Sequence, residues 1–380
     1  MKHAFRSSWV AASLLVIVLA AALLYLVGCG EKQDLASGPS AVQSAASFSK
    51  ENSDVRDVMA VQDRHTPELM AKKNVVGTAT GLTEDGKLAI LILTKEMDTK
   101  DSRTIASYPA SIEGRPVVVM VVGNIRPMRG GGGGSVSHTA KQTPPVQLGT
   151  SGGWRYDLAN GYCCSGTLGS LIHIGSTQYV LSNYHVFWGD IVPGGNNRVA
   201  TAGDPVIQPG MVDISCNANN AQNVATLSGA GSLPAANVDV GYAQVISGMV
   251  QTSGSILEIG TLSASTVSAS LRQAVKKSGR TTGLSRSTVS GLNATISVQY
   301  DNECAGGVAF TKTFTGQILV SNSGSRFLNS GDSGSLMVED VTTNPRAVGL
   351  LYAGSSSIAV ANPIGDVLAW IGGGAGMVGR

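Results

Sequence analysis

From about Thr150 to its end the chain is a succession of short apolar runs parted by Gly, Ser and Asn. The runs are Gly166 to Ile174, Gln178 to Leu181, Val240 to Ile246, Ile256 to Leu262, Thr295 to Tyr300, Thr313 to Val320, Leu336 to Val338 and Ala347 to Tyr352. Runs this short and this closely spaced suit strands joined by tight turns, and a long series of them predicts a sandwich or barrel. The 48 glycines and a charged fraction of only 14 % point the same way, to a mainly β protein. Pro363 to Ile371 is amphipathic enough for a short terminal helix.

The N-terminus is of another kind. Lys2, His3 and Arg6 precede an apolar run from Trp9 to Val27 that only Ser13 interrupts, the pattern of an export signal. It ends in Leu26, Val27, Gly28 and Cys29, which resembles a lipobox, where cleavage before the Cys leaves Cys29 to carry the lipid. An uncleaved transmembrane anchor is the alternative, since a spanning helix needs about 20 apolar residues. In either case the basic residues stay inside and everything after residue 29 lies outside. The expected localisation is therefore exported, lipid-anchored to the membrane and facing the periplasm or cell exterior.

Composition marks the internal boundaries. Residues 1–28 read as the signal peptide and 29–53, rich in Ser, Ala, Gln and Gly, as a disordered tether. Residues 54–128 read as a small α+β domain: a helical pattern from Val55 to Lys73 with a break or a second helix start at Pro67, a hairpin of Asn74 to Leu82 with Lys87 to Thr94, and a strand from Pro116 to Val122. Residues 129–150, containing Gly130 to Gly134, read as a linker before the β-rich part, 151–380. The formal net charge is +2 and no window interleaves basic and aromatic residues, so no nucleic-acid partner is expected.

Of five histidines, His3, His65 and His138 fall in the signal, the small domain and the linker region, and His173 sits inside an alternating strand. His185 stands at the end of a strand-like run, Tyr179 to Leu181 followed by Ser182, Asn183 and Tyr184, so a strand delivers it to a loop. Far downstream Gly331, Asp332, Ser333 and Gly334 precede the apolar Leu336, Met337 and Val338. Two glycines around a Ser permit a turn tight enough to expose its hydroxyl and to aim amide N–H groups at a developing oxyanion. Such a Ser needs a base to take its proton and an acid to hold that base in one tautomer. Asp239 suits the third role, because it opens the apolar run Val240 to Val245, where a lone carboxylate needs a partner. Asp190, Asp204 and Asp213 compete, but their Gly and Pro flanks read as solvated turns. Asp332, beside the nucleophile, reads as a prop for the loop.

The Gly-Asp-Ser-Gly tetrapeptide followed by a strand resembles the nucleophile loop of trypsin- and chymotrypsin-like serine peptidases. The Gly279 to Gly283 and Gly349 to Ser355 segments are similar to bacterial members, and the preceding small domain resembles a branch related to the plant narrow-leaf proteins. The resemblance covers about residues 155 to 372. It implies a double six-stranded Greek-key β-barrel, peptide-bond hydrolysis of a polypeptide substrate by His185, Asp239 and Ser333, an oxyanion site of the Gly331 and Ser333 N–H groups, and neither cofactor nor metal. The chain order excludes an α/β-hydrolase, which would need a His after the Ser. Three departures matter: Ser335 stands where a second Gly is usual, no Ile-Val-Gly-Gly start occurs near Thr150, and position 327, six before the Ser, is Phe in place of the Asp that selects Lys or Arg. A small or apolar residue before the scissile bond is the resulting expectation. A silent protease-fold binding module is the alternative from another class, and a purely structural lipoprotein a third.

With Cys29 lipidated, Cys163, Cys164, Cys216 and Cys304 remain in an oxidising compartment, so one or two disulfides are expected. Neighbours on a strand point to opposite faces, which makes Cys163 to Cys164 the least favoured of the pairings.

Overall fold

The long strand Gly283–Tyr300 organises half of the molecule, because successive stretches of it bond different partners along the same edge. A computed structural model describes residues 48–96, 108–128, 136–159, 162–188, 198–231, 233, 235–300 and 309–380. The signal segment with Cys29, most of the tether, Gly130 to Gly134, Asp190 and Cys304 lie outside the described residues.

The N-terminal part begins with helix α1 (Ser53–Met70). Asn52 caps it, its Oδ1 accepting from the amides of Asp54 at 2.8 Å and Val55 at 3.4 Å, two of the donors a helix start leaves unpaired. The helix runs through Pro67, where a break or a second helix start was expected. Pro67 and Asp63, four residues before it, are exposed, so the carbonyl deprived of its amide partner is on the solvated side. Strands β1 (Val75–Leu82) and β2 (Leu88–Thr94) form the expected hairpin, and β3 (Ser111–Ile112), β4 (Arg115–Val121) and β5 (Arg126–Pro127) follow. Buried Gln62 ties helix to sheet, its Nε2 donating to the Asn293 carbonyl at 2.9 Å and its Oε1 accepting from the Thr80 hydroxyl at 3.0 Å.

The first barrel-like sheet contains β6 (Thr150–Trp154), β9 (Gly166–Leu168), β10 (Ser170–Ile174), β11 (Thr177–Ser182), β12 (Pro205–Gln208), β13 (Gln222–Ala230), β14 (Gly241–Val245) and β23 (Gly376–Met377). Its order is β23-β10-β11-β14-β13-β12-β6-β9. Two small hairpins, β7 (Leu158–Ala159) with β8 (Tyr162–Cys163) and β15 (Ser255–Ile256) with β16 (Gly260–Thr261), lie off it. Residues 136–149, read from the sequence as linker, are built into this half: Val146 and Leu148 are fully buried and bridge Val250 and Ile256.

The second sheet closes. Strands β17 (Ala274–Gly279), β18 (Gly283–Tyr300), β19 (Phe310–Ser321), β20 (Leu336–Glu339), β21 (Ala347–Gly354) and β22 (Ile358–Pro363) pair in the order β17-β20-β21-β22-β19-β18, and β18 returns to β17. This is a six-stranded barrel, and the molecule is mainly β as expected. The first stretch of β18 bonds β17 (Lys277↔Ser285), and a later stretch bonds β1 (Gly77↔Ile296). The residues expected to form a separate small domain thus continue the sheet of the second barrel and share its core, with Val76 and Leu93 packed among Ile296, Val298, Phe314 and Val360. Helix Ile364–Ile371 closes against the first core through Ile364 and Val367, where a terminal helix was expected.

Candidate active site

Adjacent strands deliver His185 and Asp239 to the same place. β11 pairs with β14 in the register Ser182↔Gly241, His185 sits three residues past the end of β11 on the turn Tyr184–Phe187, and Asp239 lies two residues before β14. His185 Nδ1 and Asp239 Oδ2 are 2.6 Å apart, and the His185 amide donates to Oδ1 at 3.3 Å. The Tyr300 hydroxyl donates to Oδ2 at 2.9 Å. Asp239 is 0 % and His185 1 % exposed, so the carboxylate rests on these donors in place of water. Its backbone is fixed as well: the Asn183 side-chain amide donates to its carbonyl at 2.8 Å, and its own N–H donates to Asn362 Oδ1 at 2.9 Å. A carboxylate accepts, so the tautomer of the imidazole that suits this contact has its proton on Nδ1 and a lone pair on Nε2. That Nε2 is buried and has no hydrogen-bond partner among the described residues.

Ser333 lies on a loop held from several sides. Gly331 and Gly334 have φ of +97° and +91°, a region that disfavours side chains, which is the reason for glycine on both sides of the turn. Asp332 Oδ1 accepts from the amides of Thr281 and Thr282 at 2.9 and 3.1 Å, and Oδ2 from the Thr282 hydroxyl at 2.7 Å and the Asn329 amide at 2.9 Å. Lys277 Nζ stands 3.2 Å from Oδ2, both side chains fully buried. Burial pushes the Lys277 ammonium down, against the pull of Asp332. Ser335, the departure noted in the sequence, donates its hydroxyl to the Asp332 carbonyl at 2.6 Å and helps close the turn. The loop touches the first barrel where the Thr167 amide donates to the Ser333 carbonyl at 2.8 Å. Thr167 in turn accepts from Ser182 at 2.8 Å, three residues before His185.

Ser333 donates its hydroxyl to the Tyr352 carbonyl at 3.0 Å. The amides of Gly331 and Ser333, the two singled out from the sequence, converge on one acceptor, the carbonyl oxygen of Met128, at 2.6 and 3.1 Å. The chain leading to Met128 lies along β21, with Arg126 opposite Gly354 and Pro127 opposite Ala353, and the Met128 amide donates to the Tyr352 carbonyl at 3.1 Å.

Several residues here are absent from the sequence reading. Tyr300, Asn362 and Met128 come from remote segments, and only Tyr300 carried a signal, since a buried Tyr needs a partner for its hydroxyl. Asp213 differs from its expectation as a solvated turn residue: it is 9 % exposed and forms a two-point ion pair with buried Arg280, at 2.5 and 2.7 Å. Asp204 accepts from Trp154 Nε1 at 3.0 Å. His138, read as part of the linker, is buried between the Gly149 carbonyl at 2.8 Å and Glu258 at 2.9 Å. His65 faces Glu113, and His173 stays on β10 opposite Gly376. Cys163 is bonded to Cys216 with Cα atoms 5.6 Å apart, and Cys164 is disulfide-bonded as well.

Residues 218–361 match the Nal1 C-terminal domain family. A comparison with curated proteins finds no match. Among solved structures the chain is similar to a glutamic acid specific serine protease, 16 % identical with a TM-score of 0.40 over 61 % of this chain and 100 % of that one. It is also similar to Thermobifida fusca protease A, at 19 % identity and a TM-score of 0.41 over 62 % and 99 %. Cellulomonas bogoriensis chymotrypsin gives 17 % and 0.39 over 62 % and 99 %. These neighbours are bacterial serine proteases of the trypsin and chymotrypsin kind.

Proposed function

We propose that the chain is a serine endopeptidase in which Ser333 is the nucleophile, His185 its general base and then acid, and Asp239 the group that orients the imidazole. The observation that carries this reading is the convergence of the Gly331 and Ser333 amides on a single peptide carbonyl. Two preorganised N–H donors at that spot would stabilise the charge that develops on a carbonyl oxygen under attack. The buried Asp239 supports the remaining step, because it stabilises the imidazolium formed when Nε2 takes the Ser proton. The acyl-enzyme is then released by water, with His185 as base a second time. In this reading the protein is exported, held at the membrane by lipid on Cys29, and acts on polypeptides.

A second reading, a silent protease-fold binding module, is favoured by the Ser333 hydroxyl, which donates to the Tyr352 carbonyl, while His185 Nε2 has no partner among the described residues. The protease reading requires the Ser333 hydroxyl to leave the Tyr352 carbonyl for another staggered rotamer, one that faces His185 Nε2. The test is the intact mass after exposure to a fluorophosphonate, on the full chain, on Met128→Asp and on Ser333→Ala. An adduct that Ser333→Ala lacks supports the protease; folded protein that never takes one, Met128→Asp included, leaves the binding module.

A further inference from the structure

Met128 occupies the candidate cleft as a substrate residue would. Its amide bonds the Tyr352 carbonyl, its carbonyl oxygen bonds both the Gly331 and the Ser333 amides, and the residues before it extend β21 as an added antiparallel strand. Strand addition of this kind is a general mode of peptide recognition, main-chain bonds fixing the register and pockets taking the side chains. The Met128 side chain is 8 % exposed and packs in the cluster that contains Phe327, Leu328 and Leu351. Gly354 leaves room for its tip: a Cβ there would stand 3.1 Å from Met128 Cε. The wall that includes Phe327, read from the sequence as selecting an apolar residue, holds an unbranched apolar side chain of the same polypeptide.

We infer that the peptide bond on the carboxyl side of Met128 is an intramolecular substrate of Ser333, so that the protein processes itself at this bond; this rests on the protease reading above. Ser333 Oγ forms a bond to the Met128 carbonyl carbon and its proton passes to His185 Nε2, while the former carbonyl electron pair settles on the oxygen held by the two amides. The C–N bond to residue 129 then breaks and His185 returns the proton to that leaving nitrogen, which becomes a new N-terminus. Water attacks the resulting ester with His185 as base, giving the Met128 carboxylate and restoring the Ser333 hydroxyl. Holding the carbonyl in place within one chain replaces an encounter by a positional constraint, the condition under which intramolecular reactions gain most. Because β1 pairs with β18 and β5 with β21, the piece ending at Met128 stays bound after the cut, its new carboxylate still facing the two amides. The geometry thus also makes the product an occupant of the cleft.

The experiment follows the full-length chain by mass under denaturing conditions and by size-exclusion chromatography under native ones. The expected result is two fragments, one ending at Met128 and one starting at residue 129, that migrate as a single native particle, formed at a rate independent of protein concentration. Ser333→Ala should remain whole, its cleavage slowed by about 10⁵-fold or more. Met128→Asp, and the milder Met128→Gln should the first fail to fold by circular dichroism, should be cut far more slowly while still taking the fluorophosphonate. If either Met128 variant takes the adduct and the parent is never cut after Met128, self-processing is wrong and the protease reading stands. Equal cutting of Ser333→Ala, or a rate that rises with concentration, also overturns it. Absence of both cutting and adduct in folded protein overturns both readings.

Discussion

Tyr300 donates its hydroxyl to Asp239 Oδ2 at 2.9 Å, the same oxygen that stands 2.6 Å from His185 Nδ1. Burial, and then the neighbouring Asp239 charge, push the Tyr300 phenol well above its ordinary value near 10, so it remains a donor throughout the range in which a His base works. Removing it in Tyr300→Phe leaves Oδ2 short of one charge-assisted bond worth about 1.5–3 kcal/mol. Under the protease reading Tyr300 acts as a positioning residue, and the expected outcome is a roughly tenfold lower kcat with KM unchanged, matched by slower fluorophosphonate labelling. A KM change with kcat intact would remove Tyr300 from this role.

Tyr300 also shows what the sequence could and could not disclose. Alternation along Thr295 to Tyr300 marks a strand, and 300 falls at its end, but periodicity assigns a face and never a partner on another sheet. His185, Asp239 and Ser333 could be singled out as candidates because each carries a local mark: a strand end, an acid opening an apolar run, and a Ser between two turn glycines. Asp213 misled because its local marks are those of a turn, while its partner Arg280 arrives from 67 residues away. The pairing of β1 with β18 was hidden for a similar reason, since a hairpin followed by a Gly-rich stretch looks self-contained and nothing in Gly283 to Tyr300 announces a second partner on the same edge.

The buried phenols predict alkaline instability. Tyr300 and Tyr352 are both held well above 10, chiefly by burial and next by the charge of Asp239. Unfolded, each would lose its proton near pH 10; folded, each keeps it, so the unfolded state binds fewer protons and stability falls as pH rises past about 10. Lys277 acts in the other direction below its ordinary 10.5, because burial lowers it in the folded state, and its influence ends once the unfolded Lys is also neutral. Denaturant midpoints should therefore drop clearly above about pH 10.5, and the drop should be smaller in Tyr300→Phe. Midpoints flat to pH 11.5 would contradict the burial of both hydroxyls.

The Cys163 to Cys216 bond closes a loop across 53 residues of sequence and ties the β8 hairpin to the turn after Met211–Ile214. Loop-closure entropy alone places its contribution at about 4 kcal/mol. The Cys163→Ser, Cys216→Ser double variant should melt roughly 10 °C lower than the parent. Scanning calorimetry of the two under oxidising conditions checks this, and equal melting temperatures would show that the unfolded chain gains nothing from the release.

Asp332 lies in sequence between the two residues whose amides converge on Met128, and it pairs with Lys277 at full burial. Asp332→Asn removes the charge that compensates Lys277 and keeps only part of the acceptor set used by Thr281, Thr282 and Asn329. Breaking one side of such a pair costs about 3–5 kcal/mol, because the surviving ion has no water to return to. Lys277→Met carries a milder penalty, since Asp332 keeps its amide and hydroxyl donors. Combining the two should therefore be less harmful than the sum of the single changes, with a coupling of about 1–3 kcal/mol read from denaturant midpoints. Activity separates the structural part from the positional one. If the loop places the oxyanion donors, fluorophosphonate labelling of folded Asp332→Asn should slow by about 10²-fold, the scale of one misplaced donor, and the double variant should regain stability more fully than labelling rate. Labelling at the parental rate in folded Asp332→Asn would mean that the two glycines and the bond from Thr167 hold the amides without help from the buried pair.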